Sequence, residues 1–315
     1  MIKLFTHTDL DGFGCAVLAK LAFENVDIEY VDYDEVDAAV SAYLPAATKE
    51  DMIYITDISI SEAVAEEIEK RDLKVFLMDH HSTAVGLRKH DWCTVKIYGH
   101  DETIKTSGTE LFYERLITTD LLKPTDGLTS FVTIIRNWDT WRWKELGEAG
   151  LDSKNMNELF YTYGRDDFLS RCMTQIQSGK FPTYSDMDRK LLEIKQKEFE
   201  AYFAEKDKSL IHMDLLGHPC GVVFAERFIS ELGNKLSSSH PECDFVVMID
   251  ATDQTISYRT VKNNIDLGKE IAAKVGGGGH PMAAGSSFSH DIVEEFIRKI
   301  FRSENIKKDR VKKTV

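Results

Sequence analysis

Along the first half of the chain, short apolar runs alternate with segments whose apolar residues recur every three to four positions. The short runs, over 2–6, 28–31, 52–56, 73–78 and 94–98, are rich in Val, Ile and Leu and read as strands. Helical spacing covers 12–23, 61–70, 107–117 and 128–138. Strands that alternate with helices predict βαβ units and a buried parallel sheet, so the fold class is α/β with an N-terminal parallel-sheet domain over 1–184. A charged stretch over 185–208 spaces Leu191, Leu192, Ile194, Phe199, Tyr202 and Phe203 for one helix. Ser185 with Asp188 three residues on gives it a capping start, and it reads as a connecting helix. Strand-like runs over 210–215, 221–224, 245–249 and 255–258, then helical spacing over 267–275 and 292–301, predict a smaller α/β domain over 209–303. The last stretch, 304–315, carries Lys307, Lys308, Arg310, Lys312 and Lys313 and reads as a solvated basic tail.

Length and composition narrow the setting. The 315 residues suffice for two cores, and 43% hydrophobic with 29% charged residues is ordinary for a globular chain. No run approaches the roughly 18 apolar residues a membrane span needs, and the first residues enter a strand-like run directly, without the layout of a signal peptide. The five cysteines are scattered and form no CxxC pair, which argues against a disulfide framework or zinc ribbon and points to a cytoplasmic protein without a membrane partner. The formal net charge of −14 would repel a long polyanion, because phosphate neutralisation supplies most non-specific nucleic-acid affinity. It favours small phosphorylated substrates or very short oligonucleotides, and acidic clusters invite divalent metal.

The candidate chemistry lies where the acidic residues fall. The first strand runs into His7-Thr8-Asp9-Leu10-Asp11-Gly12, the third into Asp57, and the fourth into Asp79-His80-His81. Functional groups of parallel α/β sheets gather beyond the carboxyl ends of the strands, and three strands here deliver carboxylates or imidazoles to that edge. Each residue alone has a bland reading: a helix cap for Asp57, a turn for Asp9 and Asp11, a polar loop for the two histidines. Together their repulsion calls for something positive among them. Carboxylates mixed with imidazoles suit Mn²⁺, Fe²⁺ or Co²⁺ better than the all-oxygen shells of Ca²⁺ and Mg²⁺. The ligands are too many for one ion, and bridging carboxylates hold two ions about 3.5–4 Å apart, which can activate water and neutralise charge on a phosphoryl centre.

Asp9-x-Asp11-Gly12, Thr56-Asp57, Asp79-His80-His81 and Asn137-Trp138-Asp139 resemble the four successive motifs of the DHH phosphoesterases. The resemblance implies two Mn²⁺ ions, with Mg²⁺ or Co²⁺ as substitutes, held by Asp9, Asp11, Asp57, His80 and Asp139. It makes Asp79 a ligand or bridging carboxylate and gives His81 a catalytic role at the scissile phosphate. Family members often place a histidine four residues before the first aspartate. Here His7 stands two before Asp9, so its place among the ligands is open. Gly276 to Gly285, reading GGGGHPMAAG, looks like the glycine-rich signature of the DHH-associated C-terminal domain, and Ser257-Tyr258-Arg259 resembles its Ser-x-Arg element. By that likeness Gly277, Gly278, Gly279 and His280 bind substrate, and Arg259 offers a fork to a phosphate. Trp138, Trp141 and Trp143 flank Asp139 and read as packing near the site, or as a platform for bases.

The expected activity is hydrolysis of short oligonucleotides, RNA of a few residues first, to nucleoside 5′-monophosphates. The alternatives are hydrolysis of cyclic or linear dinucleotides, removal of phosphate from 3′-phosphoadenosine 5′-phosphate, and a non-catalytic DHH-fold binding protein. A homodimer is compatible with the sequence.

Overall fold

The computed structural model describes residues 1–302, so the basic tail expected over 304–315 lies outside the described residues. Within them the chain forms two compact units, Met1–Glu193 and a second from Ile194 onward. The first is built on five strands: β1 (Ile2–Thr6), β2 (Asp27–Tyr30), β3 (Met52–Thr56), β4 (Lys74–Asp79) and β5 (Cys93–Val95). They are all parallel, in the order β2-β1-β3-β4-β5. Alternate residues of the same strand enter opposite cores. Leu4, Tyr54 and Met78 face one helical layer, while Phe5, Ile53, Ile55 and Leu77 face the other. Burial on both faces is why these strands read as continuous apolar runs.

The first layer contains α1 (Leu10–Ala22), α4 (Gly108–Thr118) and α5 (Asp126–Asp139), joined by α6 (Leu151–Tyr163) and α7 (Arg165–Gln177). The other contains α2 (Val36–Tyr43) and α3 (Glu62–Glu69). The sequence pattern does not predict α2, α6 or α7. In α7 only Phe168, Cys172 and Ile176 are buried, one residue per turn, a stripe too thin to stand out among polar neighbours. The strand order places the connections from β1 on opposite sides of it, which makes β1/β3 the switch point where such sheets bind ligands. Thr6 pairs with Thr56, and Thr56 with Met78, so the carboxyl ends of β1, β3 and β4 are level. A buried bond from the Thr56 hydroxyl to Thr6 Oγ1 (2.9 Å) pins that register.

The long helix α8 (Asp186–Lys208) crosses the boundary between the units. Its start is fixed in the first unit by Asp188, whose fully buried carboxylate accepts bonds from the Tyr163 hydroxyl, the Arg171 guanidinium and Ser185. Its second half packs Phe199 and Tyr202 into the core of the second unit. That unit is a six-stranded sheet in the order β10-β11-β9-β8-β7-β6, formed by β6 (Ile211–Leu215), β7 (His218–Phe224), β8 (Phe245–Asp250), β9 (Thr255–Arg259), β10 (Gly278–His280) and β11 (Ala283–Ser287). Only β7 and β8 run parallel, and α9 (Ile229–Ser239) makes their crossover. One expectation changes here. The 267–275 segment is one wide turn (Leu267–Ile271) followed by a tight one (Ala272–Val275), not a regular helix, and Gly268 in it lets the chain pass close to the Gly279 carbonyl, 2.3 Å from a would-be Cβ. In the glycine run, Gly278–His280 pairs antiparallel with Ala283–Gly285 as the outer hairpin of the sheet. A last helix, α10 (His290–Arg302), follows.

Burial pushes the Asp188 carboxyl up, but the bonds from Tyr163, Arg171 and Ser185 outweigh it and hold it at about 2. A depressed acid stabilises the fold above its unfolded value near 3.9 and loses that contribution as pH falls through the folded value. Asp188→Asn should therefore cost roughly 2 kcal/mol near neutral pH and flatten the loss of stability between about pH 4 and pH 2. Urea midpoints measured across that range check both effects.

Candidate metal centre

At the end of β1 the chain turns directly into α1. Asp9 caps the helix, its Oδ1 accepting the N–H groups of Asp11 (3.0 Å) and Gly12 (3.1 Å). Only glycine fits at position 12, where a Cβ would lie 2.1 Å from the His7 carbonyl oxygen. Asp11, in the first turn of α1, is buried, and the N-terminus of α4 holds its carboxylate. Gly108 N–H donates to Oδ2 (2.6 Å) and Thr109 N–H to Oδ1 (2.9 Å), as expected for an anion at the positive end of a helix. Asp57 follows β3 with a left-handed backbone, φ 59°. A Cβ on Gly108 would come within 2.4 Å of the Asp57 Cβ, so the glycine lets the two turns meet. Asp79 ends β4 and delivers His80 and His81; Asp139 ends α5.

These elements bring the acidic and imidazole groups of the four motifs together. His80 Nε2 lies 3.2 Å from Asp57 Oδ1, 3.7 Å from Asp11 Oδ2 and 3.6 Å from Asp139 Oδ2. His7 Nδ1 lies 3.2 Å from Asp9 Oδ2 and 3.9 Å from Asp57 Oδ2. Three overlapping ligand groups result, His7-Asp9-Asp57, Asp11-His80-Asp139 and Asp57-Asp79-His80-His81, and the two oxygens of Asp57 face His7 and His80. Asp79 is differently placed. Its Oδ1 accepts the His80 and His81 backbone N–H groups and the His81 ring nitrogen Nδ1 (2.7 Å), and its Oδ2 accepts the Ser59 hydroxyl. It orients His81 and also lies within ligand distance of Asp57, His80 and His81.

The electrostatics agree with a cation at this point. Burial, then the neighbouring carboxylates of Asp11 and Asp9, push the Asp57 and Asp139 carboxyls well above the ordinary range. Burial likewise depresses His80. Two buried atoms aimed into the cluster, His7 Nδ1 and Asp57 Oδ2, have no hydrogen-bond partner. Orphaned buried polar atoms beside unscreened carboxylates are what a divalent ion would satisfy, and the mixed N/O donor set fits Mn²⁺ or Co²⁺. His7 has the outer support typical of a ligating imidazole, since its Nε2 bonds Asp32 Oδ1 (3.2 Å).

Several contributors were not singled out by sequence reasoning. Asp32 and Tyr33 lie just past β2, in a VDYDE run that looks like an acidic surface turn. The Tyr33 hydroxyl lies 3.2 Å from His81 Nε2 and its ring centroid 4.8 Å from that of His7. Arg165, at the start of α7, donates to the Thr8 carbonyl beside Asp9 and stacks on Tyr30 at 3.8 Å. Exposed Lys105 is a cation close enough to Asp139 to oppose the upward shift of its carboxyl. Trp138 packs against the core of the first unit and stacks on Trp143 at 5.5 Å and Trp141 at 6.2 Å, while Trp141 is exposed. In the second unit, His280 pairs with Ala283 and Ala283 with Arg259, so all three share one face of the sheet. The Arg259 guanidinium is fixed by the Tyr258 carbonyl (2.9 Å) and the Ser230 hydroxyl (3.2 Å). Gly277, Gly278, Gly279 and His280 form its outer edge, where Gly278, Gly279 and His280 are exposed.

No family model matches the chain. Oligoribonuclease NrnB of Bacillus subtilis (strain 168) is 33% identical over 316 residues, 98% of this chain and 78% of that protein. A 3′,5′-cyclic-nucleotide phosphodiesterase of Helicobacter pylori is 22% identical over 95% of this chain and 98% of its own length. Among solved structures, exonuclease RecJ bound to manganese superposes with a TM-score of 0.57 at 13% identity, over 95% of this chain and 88% of that one. A pGpG-specific phosphodiesterase from Vibrio cholerae gives 0.53 at 15% identity, over 95% and 97%. The two structures share the fold, and the sequence relationship to the first relative decides the family: the chain belongs to the DHH phosphoesterases. It is accordingly a hydrolase of phosphate esters.

Mn²⁺ should raise the melting temperature of metal-stripped protein by several degrees, because a ligand that binds only the folded state stabilises it by mass action. Asp57→Asn should keep the left-handed turn, which asparagine tolerates, and melt no lower than the wild type without metal. It should lose most of the Mn²⁺ shift, as differential scanning fluorimetry with and without chelator can show. A full shift in the variant would separate Asp57 from metal binding.

Proposed function

We propose that the protein is a two-metal phosphodiesterase that degrades short oligonucleotides, RNA of a few residues above all, to nucleoside 5′-monophosphates. The observation that carries the reading is the pair of ligand groups sharing Asp57, with His81 held beside them by Asp79. The resemblance to oligoribonuclease NrnB over almost the whole chain supports the substrate class. His7, Asp9 and Asp57 would hold one ion and Asp11, His80 and Asp139 the other, with Mn²⁺ the best fit and Mg²⁺ or Co²⁺ as substitutes. When bound, the ions supply charge neutralisation at the phosphoryl group and a water of lowered pKa.

The chain's own residues account for the remaining steps. Asp79 fixes the His81 ring through Nδ1, so that Nε2, which meets the Tyr33 hydroxyl at 3.2 Å, is the nitrogen left to serve the reacting phosphate. Burial works against protonation of His81, but the Asp79 bond outweighs it and raises the imidazole above its ordinary value. His81 can therefore hold a proton at Nε2 for a departing oxygen. Arg259, His280 and the Gly277–Gly279 edge provide cationic and backbone groups for substrate phosphates in the second unit. The net charge of −14 disfavours long polyanions, in keeping with oligomers of a few residues. A second reading, hydrolysis of cyclic or linear dinucleotides, is favoured by the full-length similarity to the Helicobacter pylori cyclic-nucleotide phosphodiesterase. An inactive binding protein is disfavoured because Asp11, Asp57, His80, His81 and Asp139 of the motifs are all present.

Hydrolysis of a 5′-labelled RNA five-mer in Mn²⁺ tests the proposal. Wild type should release mononucleotides stepwise, and His81→Asn should be slower by about 10²- to 10⁴-fold, the usual loss of a proton donor. An intact five-mer beside rapid cleavage of a cyclic dinucleotide or of 3′-phosphoadenosine 5′-phosphate would move the substrate assignment.

A further inference from the structure

Beside the metal ligands the first unit has a groove of about 430 Å³, formed by the turn after β2, the turn after β3 and the segment that follows His81. Its volume is that of a small-molecule subsite. It adjoins the centre through two hydrogen bonds already described: Ser59, on its wall, donates to Asp79, and Tyr33, at its mouth, meets His81 Nε2. Tyr33 is 60% exposed, with its ring against those of His7 and His81. The floor of the groove is formed by the buried Val36 and Leu87, and Ser59, Ser61 and Thr83 add hydroxyls. Its charged lining residues are acidic, Asp37 and Glu62, and no lysine or arginine lines it among the described residues. Such a surface repels phosphate and receives the uncharged part of a nucleotide, a planar base on an aromatic face with its sugar near hydroxyls.

We infer that this groove is a nucleoside subsite in which Tyr33 stacks one base of the substrate while the adjoining phosphate lies at the metal ligands and His81. The inference rests on the reading of the protein as an oligonucleotide phosphodiesterase and adds where one nucleoside sits. Tyr33 thereby contributes affinity through its ring, and its hydroxyl positions His81.

Binding to the Mn²⁺-loaded full chain, by calorimetry, separates base from phosphate. The probes are AMP and ribose 5-phosphate, and the proteins are wild type, Tyr33→Ala, Tyr33→Phe and Gly86→Leu. A Cβ at Gly86 meets nothing within 4 Å, so leucine there should enter the groove without disturbing the fold. Tyr33→Ala should weaken AMP by about 5- to 150-fold, the usual worth of one stacked base, and leave ribose 5-phosphate unchanged. Tyr33→Phe should keep AMP affinity, and Gly86→Leu should lower it with a normal melting curve. Wild type that binds AMP no tighter than ribose 5-phosphate, or a Tyr33→Ala loss equal for both probes, would overturn the subsite. A wild type that shows the Tyr33-dependent preference for AMP yet leaves the five-mer intact would keep the subsite and overturn the activity instead.

Discussion

Four carboxylates, Asp9, Asp11, Asp57 and Asp139, crowd around His7 and His80 at one edge of a buried sheet, and their mutual repulsion is the constraint on which the rest of the first unit depends. Burial and mutual repulsion push the carboxyls of Asp57 and Asp139 upward, and buried His7 Nδ1 and Asp57 Oδ2 have no hydrogen-bond partner. The fold nevertheless fixes every one of them. Level strand ends set His7, Asp57 and Asp79, the N-terminus of α4 holds Asp11, and α5 ends on Asp139. A left-handed backbone at Asp57 and a glycine-only approach at Gly108 are local costs accepted at that point. Strain and crowded negative charge gathered where three strands end are features of a site built for a cation.

Around this centre the motif triplet Asp79-His80-His81 divides its labour. Chain direction at the end of β4 sends His80 into the carboxylates and His81 outward toward Tyr33. Asp79 serves both through backbone and ring bonds, in addition to its place in the cluster with Asp57, His80 and His81. His7, whose spacing left its place among the ligands open, stands beside Asp9 and Asp57. Asp32, from the neighbouring strand end, holds Nε2 and turns Nδ1 toward Asp9 and Asp57.

The parts of the fold legible in the sequence are those whose burial is complete. β1 and β3 follow their apolar runs residue for residue, because both faces of these strands are covered. The less legible parts have one thin buried stripe or none: α7 shows three buried residues, and α2 only Val36 and Val40. Gly278–His280 hides its pairing because glycine carries no side-chain pattern. Among site residues, those carried by aspartate motifs at strand ends were visible, whereas Asp32, Tyr33 and Ser59 act through contacts 20 to 48 positions away in sequence and leave no local signal.

The sharing of Asp57 between two ligand groups is the claim on which the functional account stands, and manganese stoichiometry tests it most directly. Equilibrium dialysis of the metal-stripped chain against Mn²⁺ should give two ions per chain for wild type, and at most one for Asp57→Asn. A single ion on the wild type, or two retained by Asp57→Asn together with full hydrolysis of the RNA five-mer, would contradict a centre bridged by Asp57.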